Sequence, residues 1–211
     1  MEAVTSPRLP GRPLALPNLL TYARIVAVPL VVACLFGQFI LDGRMHLLRW
    51  MAVVIFVIAG ITDFLDGYLA RSLGQQSSFG RMLDPIADKL LISSCLLMLA
   101  ADETIKGWSL WAAIVILCRE ILVSGLREYL AELRVSVPVT RLAKWKTTVQ
   151  LVAIGFLLAG AAGDDLLAEV IGRPNQIITY VGLLLLWISA IVTLYTGYDY
   201  FRAGVRHLIE E

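Results

Sequence analysis

Six long apolar stretches occupy most of this chain, and each is long enough to cross a lipid bilayer as a helix. A helix needs about 20 apolar residues to span the hydrocarbon core. The stretches lie at residues 19–41, 47–71, 82–101, 108–130, 145–163 and 177–200. Hydrophobic residues make up 58% of the 211 residues, above the share of a typical soluble domain. The sequence therefore predicts an all-α integral membrane protein, a bundle of six transmembrane helices.

The segments between these stretches are short and polar, so residues 18–211 are predicted to form one membrane domain. Residues 1–17 carry Arg8, Arg12 and several prolines. The apolar run after them is too long for a signal-peptide core, which predicts a cytoplasmic or interfacial arm rather than a cleaved leader. The net charge of +1 indicates no nucleic-acid partner.

The lysines and arginines concentrate on one side of the predicted bundle. The side of both termini and the second and fourth loops holds Arg8, Arg12, Arg24, Arg71, Arg81, Lys89, Arg127, Arg134, Arg141, Lys144, Lys146, Arg202 and Arg206, whereas the other side holds Arg44, Arg49, Lys106 and Arg173. Loops rich in Lys and Arg stay in the cytoplasm. We therefore expect both termini to be cytoplasmic, with the bacterial inner membrane as the favoured location.

Four aspartates lie where the second predicted helix ends and the third begins. Asp63 and Asp66 are three residues apart, and Asp84 and Asp88 are four apart, so each pair shares one helix face. The short connection predicts antiparallel neighbours, which brings the four carboxylates together at the cytoplasmic end. A charged residue at the centre of a membrane helix costs about 2.5–3.5 kcal/mol on insertion scales, so the group needs compensation.

Divalent cations offer that compensation, because hard ions such as Mg²⁺ or Mn²⁺ prefer carboxylate oxygen. Two such ions could hold a diphosphate and orient an attacking oxygen. Gly67 and Ala70 lie beside the acids, where a bulkier side chain would block the close approach of a ligand, and Gly80 allows tight backbone packing near the start of the third helix. From the residues alone, ion pairs with Arg or Lys and an ion-conducting path remain alternatives.

The segment 63–88 resembles the signature of the CDP-alcohol phosphotransferase family, D-x2-D-G-x2-A-R-x8-G-x3-D-x3-D. Every fixed position is matched, by Asp63, Asp66, Gly67, Ala70, Arg71, Gly80, Asp84 and Asp88. The resemblance implies that the four aspartates bind metal and that Asp88 is also the general base. It implies a CDP-binding role for Asp66, Gly67, Ala70, Arg71 and Gly80. The implied reaction is attack by an alcohol on the phosphorus that bears the lipid, with CMP leaving.

Three further stretches resemble the family members whose acceptor is a glycerol phosphate. They are residues 16–21 with Arg24, residues 119–127, and residues 144–147. This likeness implies CDP-diacylglycerol as donor and sn-glycerol 3-phosphate as acceptor, and the family implies a homodimer. Same-family alternatives are a cardiolipin or a phosphatidylinositol-phosphate synthase, and a divalent-cation channel or transporter is the alternative from another class. The carboxylates cluster at one side of the membrane and no matching set appears in helices 5 and 6, which argues against a permeation path.

Basic residues near helices 4 and 5 are the predicted contacts of the acceptor phosphate, since Arg binds phosphate bidentately and Lys as a point charge. The candidates are Arg119, Lys144, Arg127, Arg141 and Lys146, with Asn18, Thr21 and Arg24 as weaker ones. The alternative for Arg119 is a structural pair with Glu120. For Arg141, Lys144 and Lys146 the alternative is topological charge near anionic headgroups.

Overall fold

The computed structural model describes the backbone of residues 16–41, 46–73, 78–133 and 141–209. Within these ranges it describes all side chains except those of residues 16–18, 39, 64, 66–73, 78–81, 141–144 and 203–209. Most of the predicted N-terminal arm therefore lies outside the described residues.

Six α-helices and the short connections between them make up the described part of the chain. The helices are α1 (Leu16–Ile40), α2 (His46–Leu73), α3 (Ser78–Ala101), α4 (Ser109–Glu132), α5 (Arg141–Ile171) and α6 (Ile177–Ile209). Each helix contains one of the predicted stretches to within a residue, so the all-α prediction is confirmed. The structure extends α5 and α6 beyond the predicted spans, to Ile171 and Ile209.

Five helices have stretches long and apolar enough to cross a membrane. These are Leu19–Gln38, His46–Asp63, Ser109–Glu132, Trp145–Ile171 and Ile177–Arg202. The chain is therefore a multi-pass membrane protein. The described part of α3 does not qualify, because Asp84, Asp88 and Lys89 fall within it. The six-span count and the cytoplasmic termini stay predictions.

The core lies between α3 and the helices around it. α3 buries Leu91, Cys95, Leu96 and Leu99 almost completely, and it packs against α1, α4 and α5. Many large apolar side chains of the other helices point outward, as a lipid solvent allows. This arrangement places the charged start of α3 beside α1, α4 and α5, at one end of the bundle.

A kink in α5 lies at the opposite end of the bundle and is held by a buried arginine. Gly160 interrupts the helix with φ of 34° and ψ of −123°. Near this break, the Nε of Arg49 donates to the carbonyl of Leu158 at 2.7 Å and its Nη2 donates to the carbonyl of Leu157 at 3.0 Å. The arginine therefore supplies hydrogen bonds to carbonyls that the helix cannot satisfy across the kink.

Gly160→Ala is expected to destabilise the protein. A Cβ at this position would lie 2.7 Å from Nη2 of Arg49, and its φ falls in the left-handed region that a side chain disfavours. We expect a loss of about 1–3 kcal/mol, measured as a lower midpoint of thermal unfolding in detergent. Gly125→Ala is the control, because a Cβ there meets no atom within 4 Å and alanine favours a helix. Equal midpoints for the two variants would show that the kink does not require glycine.

Candidate active site

Three of the four predicted metal-binding aspartates lie within electrostatic range at the end of α2 and the start of α3. Asp63 of α2 interacts electrostatically with Asp84 of α3, and Asp88 interacts with Asp63. We call Asp63, Asp84 and Asp88 the acidic cluster. Asp66 lies one turn beyond Asp63 in α2, but its side chain is outside the described residues. Carboxylates of both helices are thus close enough to interact, whereas the antiparallel pairing of α2 with α3 stays a prediction.

Helix α1 binds two carboxylates of the acidic cluster. Nη1 of Arg24 lies 2.7 Å from Oδ1 of Asp63, and the hydroxyl of Thr21 donates to Oδ1 of Asp84 at 2.5 Å. Arg24 is 1% exposed, whereas the side chain of Asp63 is 35% exposed. Arg24 and Thr21 were the weaker candidates for substrate contacts, and in the structure both bind carboxylates of the acidic cluster instead. They offset part of the acidic charge and leave one face of Asp63 accessible.

The acidic cluster fits a divalent cation by the chemistry of its donors. Carboxylate oxygens suit Mg²⁺ and Mn²⁺, which take oxygen ligands in octahedral geometry. Among the side chains that the structure describes, no three acidic, histidine or cysteine groups converge on one metal position. Because the side chain of Asp66 lies outside the described set, the metal-binding roles of all four aspartates stay predictions.

A second polar group links α4, α5 and α6 beside the acidic cluster. The carboxylate of Glu120 accepts a hydrogen bond from Nζ of Lys146 and another from Nη1 of Arg119 at 3.4 Å. Nη2 of Arg119 donates to the hydroxyl of Thr196 at 3.0 Å. We call Arg119, Glu120, Lys146 and Thr196 the basic network. Asp88 interacts electrostatically with Glu120 and Lys146 as well as with Asp63, so it lies within range of both the acidic cluster and the basic network.

The basic network keeps positive charge available inside the protein. Lys146 is 5% exposed, and one carboxylate serves both Lys146 and Arg119. The Nε of Arg119 is buried and has no hydrogen-bond partner among the described residues. A buried donor without a partner costs free energy, which an anion with several oxygen acceptors can recover. The network is therefore suited to bind a phosphate.

Arg127 lies on the neighbouring turns of α4 and contacts α6. Its Nη2 donates to the hydroxyl of Tyr200 at 3.3 Å, and its guanidinium lies 5.5 Å from the centre of that ring. Arg119 and Arg127 interact electrostatically, and their like charges add at this site. Lys89 of α3 donates to the hydroxyl of Ser124 in α4.

Several predicted site residues lie in helices but have side chains outside the described set. They are Asn18, Asp66, Gly67, Ala70, Arg71, Gly80, Arg141 and Lys144. Their roles are neither supported nor contradicted by side-chain contacts.

Helix α6 contributes residues that the sequence analysis missed. Thr196 and Tyr200 accept hydrogen bonds from the two arginines of α4. Gly197 leaves space for the side chain of Arg119, since a Cβ at this position would lie 3.1 Å from Cγ of Arg119. The signal was present: Thr193, Thr196 and Tyr200 recur every three or four residues in an apolar helix, so polar atoms line one face. Glu120 was foreseen as a partner of Arg119, but not as the acceptor that Arg119 shares with Lys146.

Comparison with known proteins identifies similar sequences along most of the chain. The profile of the CDP-alcohol phosphatidyltransferase family matches residues 14–195. The chain is 43% identical over 188 residues to a CDP-diacylglycerol–glycerol-3-phosphate 3-phosphatidyltransferase of Rickettsia bellii, covering 89% of this chain and 94% of the relative. Proteins of the same name from Cereibacter sphaeroides and Salmonella typhimurium are 38% and 35% identical, each covering 93% of this chain and 98% of the relative.

Proposed function

Because the chain belongs to the CDP-alcohol phosphatidyltransferase family, we propose that it transfers the phosphatidyl group of CDP-diacylglycerol to sn-glycerol 3-phosphate. The products are phosphatidylglycerophosphate and CMP, an early step towards anionic phospholipids. The likeness to relatives of that name over nearly the whole chain carries the proposal. The buried basic network beside the acidic cluster supports an acceptor that carries a phosphate.

The donor side of the site is assigned to α2 and α3. The carboxylates of Asp63, Asp66, Asp84 and Asp88 would hold a pair of divalent cations. Bound Mg²⁺ or Mn²⁺ supplies positive charge to the diphosphate of the donor. The CDP moiety binds beside Asp66, with the small residues Gly67, Ala70 and Gly80 leaving room and Arg71 adding a cation.

Asp88 is the general base of the proposed reaction. Its carboxylate takes the proton of the acceptor hydroxyl while the oxygen attacks the phosphorus that bears the diacylglycerol. The bond from that phosphorus to the bridging oxygen of the diphosphate breaks, and CMP leaves with the electron pair. The position of Asp88 supports this role, because the donor's phosphates would lie at the acidic cluster and the acceptor's phosphate at the basic network.

The acceptor phosphate binds to cations of α4 and α5 in this proposal. Arg119 offers a buried guanidinium nitrogen, Lys146 offers a point charge, and Arg127 adds positive potential. Arg141 and Lys144, at the start of α5, complete the set. Glu120 holds Arg119 and Lys146 in place and offsets one of their two positive charges.

The placement in the membrane follows from the charge distribution. We propose six spans, including α3, with both termini and the active site on the cytoplasmic side of the inner membrane. The apolar outer surface of the bundle and the lipid donor fit this setting. A homodimer is proposed from the family alone.

CMP release by the purified protein in detergent tests the proposed function. The assay contains CDP-diacylglycerol and Mg²⁺ or Mn²⁺, and compares glycerol 3-phosphate, phosphatidylglycerol and inositol phosphate as acceptors. We expect metal-dependent release with glycerol 3-phosphate alone. Release with another acceptor would retain the family reaction but overturn the acceptor. If folded protein released no CMP with any of the three acceptors, the proposed phosphatidyltransferase activity would be wrong.

Lys146→Ala is expected to raise the KM for glycerol 3-phosphate about 10- to 100-fold, since a hydrogen bond to a charged group contributes about 1.5–3 kcal/mol. The KM for CDP-diacylglycerol should change little. The control is Arg202→Ala, an exposed cation on α6 outside the basic network. Equal rises in both KM values, or an equal effect of Arg202→Ala, would assign Lys146 to the general positive charge of this membrane face.

A further inference from the structure

A polar cavity of about 830 Å³ lies at the end of the bundle opposite the acidic cluster. Its walls are the end of α1, the start of α2, the connection between α3 and α4, the end of α5 and the start of α6. Arg49 lines it and precedes Asp63 by 14 residues in α2, about 21 Å at the helical rise of 1.5 Å per residue. We call this space the distal cavity. It is therefore separate from the acidic cluster and the basic network.

The described lining of the distal cavity carries more negative than positive charge. Its permanent cations are Arg49 and Lys106, whereas its carboxylates are those of Asp102, Glu103, Asp164 and Asp165. Arg49 pairs with Asp102 at 3.0 Å, and His46 lies 3.5 Å from Asp165. Two carboxylates and one cation remain outside these pairs. The cavity therefore favours a cation over an anion.

Asp164 is a buried carboxylate of this lining that has no cation as partner. It is 4% exposed, and it accepts hydrogen bonds from the backbone N–H groups of Ile178 at 2.7 Å and Thr179 at 3.3 Å, and from the hydroxyl of Thr179 at 2.6 Å. No cation among the described residues pairs with it. The start of α6 offers about half an elementary charge, which offsets only part of the carboxylate. Because buried charges are normally paired, Asp164 is suited to bind a cation from outside the chain.

Gln38 is a second buried polar side chain that lines the distal cavity. It is 6% exposed, and it makes no hydrogen bond with any residue that the structure describes. A buried amide without a partner costs free energy, whereas an apolar side chain would fill the same place in α1 without that cost. The amide is therefore free to bind a ligand that enters the cavity.

We propose that the distal cavity binds a primary ammonium group. Its N–H groups donate to Oε1 of Gln38 and to the carboxylate of Asp164, which accepts three hydrogen bonds out of about four that a carboxylate can accept. A metal ion fits less well, because no three histidine, cysteine or acidic side chains of the described residues are arranged to hold one. A free amine and the headgroup of an aminolipid present the same ammonium. The inference does not depend on the proposed function.

Titration calorimetry of the full chain in detergent, with ethanolamine and with choline, tests the proposal. We expect ethanolamine to bind saturably, and choline, which has no N–H group, to bind at least about tenfold more weakly. Gln38→Leu should weaken the binding of ethanolamine about tenfold or more, as the loss of one hydrogen bond to a charged group predicts. This variant should fold, because leucine replaces an amide that has no partner among the described residues.

The control variant is Glu169→Gln, which neutralises an exposed carboxylate of α5 that does not line the distal cavity. It should leave the affinity for ethanolamine unchanged. Asp164→Asn should weaken binding as Gln38→Leu does, and its unfolding midpoint is measured first because Asp164 also binds the start of α6. Equal affinities of wild type and Gln38→Leu would overturn the proposal. Equal losses in Gln38→Leu and Glu169→Gln would overturn it too, because they would indicate a general attraction of cations to acidic residues.

A second measurement distinguishes a free amine from a lipid headgroup. The unfolding midpoint is compared in nanodiscs of phosphatidylcholine with and without phosphatidylethanolamine. A higher midpoint with phosphatidylethanolamine, which Gln38→Leu loses and Glu169→Gln keeps, would identify the headgroup as the ligand. Saturable binding of ethanolamine with equal midpoints in the two nanodiscs would identify a free amine. If ethanolamine does not bind and the two midpoints are equal, the proposal is wrong, whether or not the protein releases CMP.

Discussion

Asp88→Asn is expected to abolish turnover while largely sparing the binding of CDP-diacylglycerol. An amide of the same shape cannot accept the acceptor's proton, and general-base catalysis contributes about 10²–10⁴-fold. The rate of a single turnover should therefore fall by about that factor. Binding should persist because Asp63 and Asp84 keep their places through Arg24 and Thr21, which do not depend on Asp88. Rapid-quench measurement of CMP release, with donor affinity measured separately, gives both quantities.

The contrasting variant is Asp66→Asn, which should weaken metal-dependent binding of the nucleotide. Asp165→Asn serves as the control, because that carboxylate is exposed at the opposite end of the bundle and pairs with His46 at 3.5 Å. Near-normal turnover of Asp88→Asn would show that another group takes the proton. A loss of donor affinity equal to that of Asp66→Asn would indicate that the main role of Asp88 is to bind metal, not to act as the general base.

The helices could be predicted from the sequence because length and apolarity determine them locally. A run of about 20 apolar residues has few alternatives to a helix in lipid, since each backbone group needs an internal partner. The ends of α5 and α6 were harder to place. The segment after residue 163 carries Asp164 and Asp165, yet α5 continues to Ile171, because Asp164 is buried and binds the start of α6. Such a tertiary contact has no local signal.

The acidic cluster could be anticipated because its members lie close in the chain and on defined helix faces. The basic network could be predicted only in part from the sequence, since its contacts join residues that are 26 and 77 positions apart. One sequence shows that Arg119 and Lys146 are cations but not that Glu120 lies between them. Thr196 was passed over because a threonine in a membrane helix more often bonds to its own backbone, as it also does here with Val192 at 2.9 Å.

The charge count placed Arg49 on the outer side of the membrane as one of few cations there, and the structure gives it a specific role. It is 4% exposed and makes four hydrogen bonds, to two carbonyls of α5, to Asp102 and to Thr104. A topological rule counts charges without regard to burial. The bonds to α5 depend on the kink at Gly160. A glycine in an apolar stretch does not by itself predict such a kink.

Arg49→Ala is expected to destabilise the protein by about 3–5 kcal/mol, because it leaves the partly buried Asp102 and two helix carbonyls without their donor. At about 2–4 °C for each kcal/mol in a domain of this size, the unfolding midpoint should fall by on the order of 10 °C. Arg49→Lys should recover little, since one ammonium cannot reproduce a planar fork that reaches two carbonyls and a carboxylate. Thermal unfolding in detergent measures all variants.

The matched control for Arg49 is Lys106→Ala, an exposed cation in the same connection between α3 and α4 as Asp102. Its loss should change the free energy of unfolding by less than about 0.5 kcal/mol. The activity of the folded fraction separates stability from catalysis. Arg49 lies at the end of the bundle away from Asp63 and Asp88, so CMP release per folded molecule should stay within about twofold below the midpoint. A midpoint equal to that of Lys106→Ala would show that the kink in α5 holds without the arginine. A large loss of activity in fully folded protein would mean that the shape of α5 at the kink also determines the position of Lys146 at the other end of the helix.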